Sequence, residues 1–138
     1  MPKKADLGKK LNRRQQRDLD IEIGFMRGVV QRDPSFVEAL QILGDDYTRR
    51  GRFLDGLKVD EQLVKLRPED PTMLYNLACS YALTKRYEQA ASALSRAIER
   101  GYRDFKWLVK DPDLQGLRAH PIFKNIQTKI RKVQIQVK

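Results

Sequence analysis

The chain has 138 residues, 41% of them apolar and 33% charged, with a formal net charge of +10. That length suits one domain with a core of its own, and the composition is ordinary for a helix-rich globule. One cysteine and one histidine exclude an internal disulfide and a His/Cys metal quartet, and no apolar run approaches the roughly 20 residues of a membrane span.

The first segment, residues 1–17, is a basic extension, with seven Lys/Arg against one Asp. No apolar run of signal-peptide length follows it, so a cytoplasmic protein is expected. Leu7 and Leu11 alone do not decide whether residues 3–17 are helical. From Asp18 onward, Leu19, Ile23, Met26 and Val30 form a helical stripe that closes at Pro34. Two longer segments follow. Leu40, Leu43 and Tyr47 keep i, i+3, i+7 spacing, and so do Leu74, Leu77 and Tyr81. The two sets are offset by 34 residues, and the same offset relates Gly44 to Ala78, Phe53 to Tyr87, Gly56 to Ala90 and Pro34 to Pro68. So many coincidences at one period define an internal repeat. The stretches "RRGR" and "LTKR" are turns of helix–helix length, with second helices at Phe53–Leu66 and Tyr87–Arg100. Gly101 offers a left-handed helix end, and "RPEDP" breaks the chain between the units. Gly44 and Ala78 stand where a partner helix must approach closely.

Downstream, a short helix around Phe105 to Lys110 stops at Asp111-Pro112, and Pro121 suits the first position of a last helix. Ile122, Ile126, Ile130 and Val133 give that helix an apolar stripe able to cap a stack. Residues 124–138 hold five Lys/Arg and no acid, so the near-neutral stretch 18–123 lies between two basic ends.

With its "LGDDY" and "LACSY" cores and strict 34-residue period, the chain resembles the tetratricopeptide repeat. The resemblance implies an all-α fold, a right-handed stack of six or seven helices in antiparallel pairs. It places repeats at about 37–70 and 71–104, a cap at 105–123 and a basic capping helix and tail at 124–138. Asp60 departs from the family's usual aromatic there, which implies looser packing and a broader polar face in that helix. The family's usual work is binding a segment of a partner protein in a concave groove, as an adaptor or scaffold and not as an enzyme. Carried over residue by residue, the groove positions are Gln41, Asp45, Thr48 and Arg49 in the first unit. In the second they are Tyr75, Asn76, Cys79 and Leu83, with Lys106 and Lys110 beyond. Tyr75 is the expected aromatic anchor. Asn76, Lys106 and Lys110 match half of the carboxylate clamp that some members carry, while Gln41 and Asp45 depart from it, and an acid at 45 would repel a carboxylate.

A nucleophilic Cys79 would need a base to form thiolate, and the single histidine, His120, falls in the cap region. Asp45 and Asp46 diverge by about 100° around a helix, which disfavours a shared acid–base site. No catalytic residue, metal or cofactor is therefore expected. The alternative to groove binding is a binder of nucleic acid or another polyanion through the basic ends. Self-association through an apolar flank near Met26 is a third reading.

Overall fold

The computed structural model describes residues 10–137, and within them every regular element is helical. The chain divides into two compact units, one ending at Leu66 and the other beginning at Arg67. Each is built of consecutive helices packed in pairs, as in an α-solenoid of tetratricopeptide type. Arg13–Arg17 belongs to the first helix, which answers for those residues the question that Leu7 and Leu11 left open. Leu7 and most of the basic N-terminal segment lie outside the described residues.

The first unit holds α1 (Arg13–Arg32), α2 (Val37–Arg50) and α3 (Phe53–Leu66). Asn12 starts α1 with a capping box: its side chain accepts from the Gln15 amide at 2.8 Å, and Gln15 Oε1 accepts from the Asn12 amide at 2.9 Å. Leu19 and Ile23 are buried, and Met26 and Val30 are half-buried, as their spacing requires. Arg50, in the last turn of α2, pairs with Asp20 of α1 at 2.9 Å. The α2–α3 crossing depends on glycine. A Cβ on Gly44 would stand 3.2 Å from Asp60 Oδ1 and 3.3 Å from Val59 Cγ1. One on Gly56 would stand 3.2 Å from Thr48 Oγ1. Asp60 therefore corrects an expectation. It is buried against the opposing glycine, so no broader polar face opens in α3.

The second unit holds α4 (Pro71–Leu83), α5 (Tyr87–Glu99), α6 (Phe105–Leu108), a 3-10 turn (Pro112–Leu114), α7 (Gln115–Ala119) and α8 (Phe123–Val137). Asp70 caps α4 by accepting from the Thr72 and Met73 amides, and Pro71 occupies the first position. Ala78, Ala90 and Ala97 have no exposed surface, so alanine takes the glycine's place where α4 and α5 pack. The helix count exceeds the expected six or seven because the cap contains two short helices. Pro121 does not open α8; it sits in a turn two residues earlier, and Phe123 and Ile126 carry the buried contact. Packed on α5 and α7, α8 covers the end of this unit.

The helix hairpins close alike. The amide of Arg52 donates to the Tyr47 carbonyl and that of Arg86 to the Tyr81 carbonyl, both at 2.8 Å. Gly51 supplies the left-handed residue in the first turn (φ 84°), whereas Lys85 supplies it in the second (φ 62°).

Ala78→Leu should overpack the α4–α5 crossing and cost about 1–3 kcal/mol. Thermal melting of the variant checks this, and an unchanged midpoint would contradict the register.

Candidate functional site

The ten groove positions do not behave alike. In the first unit Gln41, Asp45, Thr48 and Arg49 are all half-buried on α2. Thr48 Oγ1 donates to the Gly44 carbonyl at 3.1 Å, a local bond within the helix. Asp45 Oδ2 and Arg49 Nε are enclosed and have no hydrogen-bond partner among the described residues. The same is true of Oδ2 of the adjacent Asp46, whose side chain turns inward and is 3% exposed.

These carboxyls are electrostatically strained. Burial pushes Asp46 up to about 8, with a hydrogen bond to the Glu22 carboxyl of α1 and the charge of Glu22 adding to the rise. Burial also raises Asp45 to about 6, against the favourable charge of Arg49 one turn away. A carboxyl that costs this much to ionise is mostly protonated near neutral pH when it is Asp46, and mostly ionised when it is Asp45. The pair thus contributes one hydrogen-bonded neutral group and one anion.

In the second unit Tyr75 and Cys79 are not available to a partner. Tyr75 is 4% exposed, and its ring stacks on Tyr102 with centroids 4.2 Å apart and planes 6° from parallel. Its Oη donates to Asp111 Oδ2 at 2.6 Å. Cys79 Sγ, on the next turn of α4, points at the same oxygen at 3.7 Å. Asp111 Oδ1 accepts from the Asp113 amide at 3.0 Å, which starts the 3-10 turn. Arg118 closes the loop by donating to the Leu108 and Asp111 carbonyls. The expectation of an exposed Tyr75 anchor is corrected: the ring and its hydroxyl clasp the cap to α4. Burial, with the neighbouring Cys79 and Asp111, drives the Tyr75 phenol far above its usual range, so it stays a donor. Tyr102 is raised by burial as well.

Asn76 and Leu83 remain half-buried on α4, while Lys106 and Lys110 are exposed on and just after α6, with Val109 between them. His120 lies elsewhere. Its ring packs against Tyr87 at 5.1 Å, and its Nδ1 accepts from the Ile122 amide, beside an open cavity of about 420 Å³ that Lys85 and Arg86 help line. Asp111 is a polar neighbour of Cys79, whereas His120 is engaged with Tyr87 and the Ile122 amide. Among the described residues no group of three His, Cys, Asp or Glu could hold a metal ion. None of their helices is long and apolar enough to cross a membrane.

Asp111 is the residue whose part in holding the cap the sequence did not show. Its only signal was local, an Asp-Pro-Asp start to a helical turn, and nothing in that pattern points to a tyrosine 36 residues earlier.

Comparison with known proteins agrees with this architecture. No protein-family model matches the chain. It is 34% identical over 96 residues to a chloroplastic protein of Arabidopsis thaliana, covering 67% of this chain and 27% of that protein. It is 30% identical over 101 residues to the PEX5-related protein of Mus musculus, covering 73% of this chain and 18% of the relative. It is 37% identical over 90 residues to the peroxisomal targeting signal receptor of Komagataella phaffii, covering 63% of this chain and 16% of the receptor. The chain thus spans about a quarter or less of each relative. With the paired helices, these similarities are compatible with a repeat protein of tetratricopeptide type.

The raised carboxyls set a pH dependence. Asp46 holds its proton in the folded chain up to about pH 8 but releases it near 3.9 when unfolded. Its contribution to stability is therefore complete below about pH 4 and is lost as pH rises toward 8. Asp45 and Asp113, the latter raised by burial to about 7, act in the same direction. Asp46→Asn, a permanently neutral replacement, should flatten the fall in melting temperature between pH 5 and 9. Parallel slopes for the variant and the parent would rule Asp46 out as the titrating group.

Proposed function

We propose that this chain is a non-catalytic protein-interaction module that binds a segment of another protein, with α2 supplying a principal contact face. The observation that carries the reading is the set of half-buried polar positions on α2, where Asp45 Oδ2 and Arg49 Nε lack hydrogen-bond partners among the described residues. Polar groups withdrawn from water without partners are costly, and a bound peptide offers both the N–H and the C=O that would satisfy them after small side-chain rotations. Charge of both signs on one helix face favours a polar or mixed-charge segment over an acidic tail. Taken by itself, the second unit keeps Asn76, Leu83, Lys106 and Lys110 as candidate contact positions, without Tyr75 and Cys79. One of the relatives is by name a receptor for a targeting signal, which supports recognition of a protein segment rather than catalysis. An adaptor role in the cytoplasm is part of this reading. The basic ends are secondary in it, and Lys129 of the C-terminal helix is already paired with Glu99.

Binding to an array of short peptides tests the reading, with Arg49→Glu and Lys106→Glu as variants. The parent should retain a subset of peptides at high salt, and Arg49→Glu should weaken that retention by about tenfold or more while melting normally. Retention that vanishes with salt for every peptide, or that Arg49→Glu leaves unchanged, would move the function to the basic ends.

A further inference from the structure

The outer side of α1 has no role in the contacts described so far. Leu19 and Ile23 face the unit's interior, whereas Ile21 and Phe25, one turn apart, are each 67% exposed. At about 100° per residue, Asp18, Ile21, Phe25, Val29 and Arg32 fall on one stripe of this side. Gly24 and Gly28 flank it, and apart from the neighbouring backbone of α1 itself no atom lies within 4 Å of where their Cβ atoms would stand. The helix is thus open to close approach beside an apolar pair rimmed by charge, the usual composition of an interface.

We propose that this face pairs with the same face of a second copy of the chain, α1 running antiparallel to the partner's α1, with Phe25 on the twofold axis. The charges select this occupant. A twofold interface must be complementary to itself, so each residue must suit the one at the mirrored position. Asp18 and Arg32 lie seven residues either side of Phe25. Antiparallel pairing centred there sets Asp18 against the partner's Arg32 twice, and Ile21 against the partner's Val29 twice. A register centred between Ile21 and Phe25 instead opposes Arg14 to the partner's Arg32 twice, and like charges reject it. Asp18 forms no ion pair with another described residue, unlike Asp20 beside it, which Arg50 holds. A purely acidic partner helix would suit Arg14 and Arg32 but would set an acid against Asp18. The self-pair satisfies both signs.

Sedimentation equilibrium of the 138-residue chain over a wide concentration range is the test, with circular dichroism as the control for folding. A dimer is expected. Phe25→Glu changes an exposed side chain, so it should keep the helical spectrum while weakening association by at least about tenfold. Asp18→Arg and Arg32→Asp should each weaken it, and the double variant should recover it, because the reversed pair is again complementary. A chain that stays monomeric assigns the face to another occupant and overturns the proposal. So does a dimer that Phe25→Glu leaves intact, or a double variant no better than the singles.

Discussion

Close approach of two helix backbones is the constraint on which everything else in the chain depends. Where α2 crosses α3, Gly44 and Gly56 leave no room for a Cβ without displacing Val59, Asp60 or Thr48. Where α4 packs on α5, Ala78 and Ala90 are without exposed surface. Small residues at these points let the larger ones around them interlock at interior density, and dispersion then accumulates over many contacts. The left-handed residues Gly51 and Lys85 reverse the chain at matching places, so each second helix returns onto the first at the same register.

Inside this frame the two units treat polar groups differently. In the second, Asp111 takes the Tyr75 hydroxyl and the Asp113 amide, and Cys79 points at it as well. A buried carboxylate costs several kcal/mol unless donors surround it, so this one makes the position of the cap specific. The thiol weighed as a nucleophile and the tyrosine expected as an anchor both lie against the carboxyl that holds the cap. In the first unit the donors and acceptors of α2 are left incomplete, with unpaired atoms on Asp45, Asp46 and Arg49. Incomplete satisfaction on a helix face is what an interaction module can offer a partner, and that contrast is why α2 rather than Tyr75 carries the functional reading.

Much of the fold was legible in the sequence because repeats write their geometry at a fixed period. The bounds of α3, the left-handed Gly101 and the buried Leu40, Leu43, Leu74 and Leu77 all follow from helical spacing and turn chemistry. The start of α1 was not read: the two leucines nearby left its extent open, and the capping box of Asn12 and Gln15 emerged only in the structure. What spacing could not show were contacts between distant segments. Tyr75 sits where an anchor would face a groove, but whether the cap covers it depends on an aspartate 36 residues away. Asp60 reads as a surface residue until the opposing glycine gives it space inside.

If the two crossings are the anchors of their units, they should be the last parts of each to open. Hydrogen exchange of individual backbone amides, followed by NMR under native conditions, measures this directly. The slowest amides of the first unit should cluster around Gly44 to Thr48 and Val59 to Leu63, and those of the second around Ala78 to Ala82 and Ala93 to Ala97. Slowest exchange in α1 or α8 instead would contradict the account.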